Sequence, residues 1–107
     1  QNAGYGTEDK PYPVLTGQDC DKANVKAMIA GQQSMCVFKD TRSLAAKVVE
    51  MVDAIVTDTE VPVNDTETYD NNVKVVPSFL VDPVFADANN YVEILLDSGY
   101  YTEADIQ

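Results

Sequence analysis

The apolar residues of this chain fall into short runs separated by segments of helical period, and that alternation constrains the fold more than any other feature. Val14, Leu15 and Thr16 form a first strand-like run after Pro13, and Gly17, Gln18 and Asp19 are expected to turn the chain. A helix is expected over 21–30, with Asp19 or Asp21 as its cap, Gly31 as its stop, and Val25, Met28 and Ile29 on its apolar face. The run 34–38 reads as a strand buried on both faces. A second helix over 42–56 follows, capped by Asp40 or Thr41. Its Leu44, Val48, Met51 or Val52, and Ile55 recur at three and four, as a core-facing stripe does. Residues 1–12, with Gly4, Gly6 and Pro11, read as a loop, and 58–72 as a long polar connection. Extended stretches at 73–76 and 78–81 flank Pro77, which lacks a donor and so marks an edge, a bend or a change of sheet. A third helix is expected over 90–97, capped by Asn89 or Asn90 and ended by Gly99, and Thr102 is placed to cap a last turn.

Helical segments between apolar strands imply an α/β fold with a parallel sheet and right-handed crossovers. Three strands make a small sheet with exposed edges. A partial parallel sheet, completed by strands from a longer parent, is the expected architecture. The opening Gln1-Asn2-Ala3-Gly4 reads as neither a natural start nor a processing site, no signal peptide is read, and a fragment or processed product is expected.

Charge and composition exclude several classes. Eighteen acidic residues against seven basic ones give a formal net charge of -11 over 107 residues. A nucleic-acid backbone or an anionic membrane is a poor partner for such a surface. No run reaches the roughly 18 apolar residues that span a bilayer. Histidine is absent, so no histidine base or His-ligated metal is available. Cys20 and Cys36 are too few for a zinc site or a disulfide framework. They read as one disulfide or as two buried thiols, and buried thiols are favoured.

Open α/β sheets bind ligands beyond the carboxyl ends of their strands. Asp19 follows the first strand, and Lys39 and Asp40 follow the second, so Asp19 and Lys39 are expected to face one cleft. A carboxylate accepts two hydroxyl hydrogens and an ammonium donates to sugar oxygens, a pair suited to an uncharged polyol. The plainer alternatives are a helix cap for Asp19, a solvated strand end for Lys39 and a cap for Asp40. Phe38, Tyr100 and Tyr101 read as packing residues. Asp65, Asp70, Asn71 and Asn72 have a cation-loop composition without calcium-loop spacing and read as a polar turn. Gly4-Tyr5-Gly6 lacks the third glycine and preceding strand of a dinucleotide fingerprint. No nucleophile is paired with a base, so no enzyme is expected and no cofactor is implied.

Several motifs together resemble the xylose and multiple-sugar branch of the periplasmic binding protein family. They are Leu15-Thr16-Gly17-Gln18-Asp19; Ala30-Gly31-Gln32-Gln33-Ser34-Met35-Cys36-Val37-Phe38-Lys39-Asp40-Thr41; Asn64-Asp65-Thr66; Thr68-Tyr69-Asp70-Asn71; Val73-Lys74-Val75-Val76-Pro77-Ser78-Phe79-Leu80; and Leu96-Asp97-Ser98-Gly99-Tyr100-Tyr101-Thr102. The resemblance runs from about residue 11 to the end. It implies the C-terminal part of a type 1 binding protein with two Rossmann-like lobes that close on a sugar. Residues 1–76 would belong to the C-terminal lobe, 77–84 to a hinge crossing, and 85–107 to a tail packing toward the N-terminal lobe. Asp19 matches the family carboxylate that holds sugar hydroxyls, and Lys39 the polar side chain after the next strand. The implied function is the solute-binding subunit of an ABC transporter, with a monosaccharide, the remaining N-terminal lobe and permease subunits as partners. The implied location is extracytoplasmic, in the periplasm or lipid-anchored outside the cell membrane. A sugar sensor or transcription-repressor core on the same scaffold is the alternative. Cys20 and Cys36 depart from the family pattern, which places small residues such as Ala and Thr there.

Overall fold

The computed structural model describes residues 3–107, so Gln1 and Asn2 of the expected leading loop lie outside the described residues. In chain order the elements are β1 (Thr16–Gln18), α1 (Lys22–Ile29), β2 (Met35–Phe38), α2 (Thr41–Val56), β3 (Val84–Ala86), a π-helical segment (Val92–Asp97) and α3 (Glu103–Ile106). They divide into two compact units, Gln1–Phe38 with Pro83–Gln107 and Lys39–Asp82.

In the first unit β2 is the centre of a three-stranded sheet. β1 runs parallel to β2, with Thr16 beside Met35 and Gln18 beside Val37. β3 runs antiparallel to it, with Phe85 beside Val37. The sheet is therefore mixed around one parallel pair, and the α/β class holds. β1 begins and ends later than its apolar run suggests: Val14 and Leu15 lie before it, and Gly17 and Gln18 are strand residues and not part of a turn. A Cβ on Gly17 would lie 2.5 Å from Nε2 of Gln33, so a larger residue there would displace the end of that side chain.

The third strand corrects the reading around Pro77. Residues 73–81 form no strand, only isolated bridges between Asp65 and Ser78 and between Asp70 and Val75. Local side chains take the backbone donors that a ladder would use: Asp70 accepts from the Asn72 amide at 2.8 Å, and Asn71 accepts from the Val73 and Lys74 amides at 3.0 Å. The strand comes instead just after Pro83, a position where proline is tolerated.

Asp21 caps α1 by accepting from the Asn24 amide at 2.8 Å, and Gly31 leaves the helix with φ of 71°. Val25 and Met28 are buried, whereas Ile29 on the expected apolar face is exposed. The segment Val92–Asp97 is wound as a π-helix that neither Asn89 nor Asn90 caps, and the turn before it is held by Asp87 together with Asn90. The Asp87 carboxylate accepts from the amides of Asn89 at 2.7 Å and Asn90 at 3.2 Å. Asn90 returns the bond, its side-chain oxygen accepting from the Asp87 amide at 2.7 Å. At the expected cap, Asp105 accepts from both the amide and the hydroxyl of Thr102, at 3.0 and 2.8 Å. Cys20, Val25, Met28, Cys36, Phe38, Ala86, Leu95 and Ile106 form one core, so the chain after Pro83 packs with the chain before Lys39.

In the second unit Asp40 caps α2, its carboxylate accepting from the Arg42 amide at 2.9 Å. Of the stripe expected to face a core, Leu44, Val48, Val52 and Ile55 are exposed, with Ile55 at 66%, and only the alternative Met51 is half-buried. Spacing shows that a face is apolar, not what covers it. Asn64 ties the following loop together, donating to the Leu80 carbonyl at 2.9 Å and accepting from the Leu80 amide at 2.7 Å. Lys47 lies 4.3 Å from the centre of the Phe79 ring. No helix among the described residues is long and apolar enough to cross a membrane.

Candidate functional site

Parallel pairing puts the carboxyl ends of β1 and β2 on the same side of the sheet, and the candidate residues follow those ends. Asp19 is exposed directly after β1. Its amide donates to the Val37 carbonyl at 2.7 Å, which extends the parallel ladder by one rung. Asp19 then turns into the left-handed region with φ of 71°, and Cys20 follows with φ of 48°. Aspartate visits that region readily, but a cysteine there costs about 1–2 kcal/mol.

Four hydrogen bonds hold this turn. Asn24 donates to the Gln18 carbonyl at 3.2 Å. The Asp19 amide is tied to Val37 as above. The Cys20 amide donates to Sγ of Cys36 at 3.0 Å. The Cys20 carbonyl accepts from the Tyr101 hydroxyl at 3.1 Å. Strained conformations persist where their surroundings over-determine them. The turn presents the Asp19 carboxylate while Cys20 is fully buried beneath it. Asp21, not Asp19, is the cap of α1, so the capping alternative for Asp19 falls away.

Lys39 is half-buried and opens the second unit, directly after β2. Asp40 beside it is committed to structure. Its carboxylate caps α2 and pairs with the Arg42 guanidinium at 2.7 Å, which holds its carboxyl below the usual range. Phe38 is core, meeting Tyr100 edge-to-face at 4.7 Å. Tyr100 meets Tyr101 in the same manner at 4.9 Å. These rings pack, as their sequence context suggests.

Both cysteines are free and buried. Burial, with the neighbouring Cys36, pushes the Cys20 thiol up to about 12. The polar turn at Asp65 is a turn: its carboxylate accepts from the amides of Glu67 at 3.1 Å and Thr68 at 2.9 Å, and Thr68 holds its carboxyl below the usual range. Among the described residues no cluster of His, Cys, Asp or Glu has the form of a metal site. A surface cavity of about 310 Å³ in the first unit is lined by Ile29, Tyr91, Val92, Leu96, Glu103, Ile106 and Gln107. It shares no residue with the Asp19 turn.

Sequence reasoning missed Tyr101. Its context reads as packing, yet its hydroxyl reaches a carbonyl 81 positions earlier. A tyrosine near the end of a chain carries no local signal of such a partner. Burial and nearby acids raise its hydroxyl above its ordinary range, which keeps it a donor.

No protein-family model matches the chain. The chain is 51% identical over 107 residues to the multiple sugar-binding periplasmic protein SbpA of Azospirillum brasilense, covering all of this chain and 30% of that protein. It is 48% identical over 101 residues to the multiple sugar-binding periplasmic receptor ChvE of Rhizobium radiobacter, covering 94% of this chain and 28% of that protein. Among solved structures, an ABC transporter solute-binding protein of Clostridium phytofermentans with bound β-D-glucose superimposes with a TM-score of 0.87 at 61% identity. That match covers 92% of this chain and 30% of that one. The chain thus spans about 30% of the length of the curated relatives it matches.

Proposed function

We propose that this chain, which belongs to the periplasmic sugar-binding protein family as a segment of it, carries part of the sugar site of an extracytoplasmic ABC-transporter subunit. The subunit captures a mono- or small saccharide, glucose or xylose among the candidates, and delivers it for import without turning it over. The observation that carries this reading is the over-determined turn at Asp19: an exposed carboxylate at the carboxyl end of β1, in a fold shared with a glucose-bound solute-binding protein. Asp19 accepts hydrogen bonds from two sugar hydroxyls, and Lys39 donates to a sugar oxygen. Charge-assisted bonds of this kind recognise a neutral polyol without a net charge on the ligand.

The permease subunits and the rest of the solute-binding protein are the partners in this reading. For the lobes, the two compact units favour a crossing at Phe38–Lys39 as well as one within 77–84. Lys39–Asp82 would then belong to one lobe and the remainder of the chain to the other. That division also accounts for the uncovered apolar stripe of α2, which the rest of its lobe would cover.

A sensing role is the second reading, and the receptor name of the 48%-identical relative favours it. Transport and sensing use the same sugar site. The test of that site is calorimetric titration of D-glucose into the full-length protein and its Asp19→Ala variant. The variant is expected to lose roughly tenfold or more in affinity. Equal affinity in the two proteins sinks the assignment of Asp19.

A further inference from the structure

The Tyr101 hydroxyl reaches from the distal part of the chain to the backbone of the Asp19 turn. Asp19 and Cys20 are consecutive non-glycine residues at positive φ, and such a pair does not hold its shape unaided. Its amides are held from β2, by the Val37 carbonyl and Cys36 Sγ. Its outgoing carbonyl, that of Cys20, is held by Tyr101 at 3.1 Å. Tyr101 is itself fixed. Its ring stands edge-to-face to Tyr100 at 4.9 Å, its amide donates to the Leu95 carbonyl at 2.8 Å, and Leu95 is fully buried.

We propose that Tyr101 is a positioning residue for sugar binding, setting the direction of the Asp19 carboxylate through the carbonyl of Cys20. The inference rests on the reading of Asp19 as a sugar contact. Tyr101 touches no sugar in this account. Its hydroxyl narrows the range of orientations the turn samples before the ligand arrives, so less order is lost on binding.

The test uses the full-length protein with Tyr101→Phe, Asp19→Asn and the double variant. Tyr101→Phe keeps the ring and its packing and removes one hydroxyl. Without ligand, amide exchange in the segment 16–22 is expected to speed up in Tyr101→Phe, with the thermal midpoint within a few degrees of the parent. With D-glucose, Tyr101→Phe is expected to lower affinity roughly three- to tenfold when Asp19 is present. In the Asp19→Asn background the same change should cost less than about twofold, because the group being aimed has been altered. Unchanged exchange in segment 16–22, or an equal loss of affinity in both backgrounds, overturns the positioning role. A glucose affinity indifferent to Asp19→Asn, with faster exchange in Tyr101→Phe, overturns the reading of Asp19 and leaves the hold of Tyr101 on the turn standing.

Discussion

The amide of Cys20 donates to Sγ of Cys36 at 3.0 Å, and both residues are fully buried. A sulfur thus satisfies a backbone donor that would otherwise be orphaned beneath the Asp19 turn. Cys36 sits on β2, so the turn is anchored to the central strand of the sheet.

The thiols should be inert in the folded protein. Burial pushes the Cys20 thiol up to about 12, so almost no thiolate exists near neutrality. Iodoacetamide at about pH 8 is expected to leave both cysteines unmodified until the protein is unfolded, when both react. Fast labelling of the native protein would contradict the packing described. Cys36→Ala leaves the Cys20 amide unpartnered and is expected to cost about 1–3 kcal/mol in urea unfolding.

Acid should weaken the tie between α1 and α3. Lys22 pairs with Asp105 at 2.6 Å, and Thr102 also donates to that carboxylate. Together they hold the Asp105 carboxyl well below its ordinary value of 3.8. A depressed carboxylate stabilises the fold above its ordinary value, and that contribution fades as pH falls toward the folded-state value. Asp105→Asn is expected to be less stable than the parent at about pH 7, with the gap narrowing at about pH 3. A gap that stays constant between the two would show that the pair is not the cause.

Lys39 is expected to matter through its donor. Lys39→Met keeps much of the side-chain stem and removes the ammonium, and should weaken D-glucose binding by the full-length protein roughly fivefold or more. Titration calorimetry reads this directly. Unchanged affinity would return Lys39 to the role of a solvated strand end.

The stripe Leu44, Val48, Val52 and Ile55 on α2 is exposed in this chain. The 107-residue segment produced alone should therefore bind an apolar fluorescent dye, whereas the full-length protein should bind much less. Equal dye binding would mean that nothing else in the parent covers α2.

Much of this was legible in the sequence because local chemistry decides it. Asp21 and Asp40 are each one of two cap candidates in the sequence, and the structure selects them over Asp19 and Thr41, while Gly31 closes α1 as expected. The run around Cys36 is a strand as expected, but it is not buried on both faces: Cys36 and Phe38 are buried on one face, whereas Met35 and Val37 on the other are only half-buried. The position of Asp19 directly after a strand was legible, although its left-handed backbone was not. The failures are tertiary. Val73 and Val75 look like strand residues, but Asp70 and Asn71 capture the neighbouring donors in tight turns. Val84–Ala86 is three residues long, too short for periodicity to mark, and becomes a strand only because β2 offers an edge. Tyr101 finds Cys20 through the fold alone.

The most direct measurement of the central claim is a crystal structure of the full-length protein with D-glucose. The account predicts an Asp19 carboxylate oxygen about 2.5–3.0 Å from a sugar hydroxyl, with the turn still held by Cys36 and Tyr101. A sugar bound with Asp19 beyond hydrogen-bonding reach would contradict it.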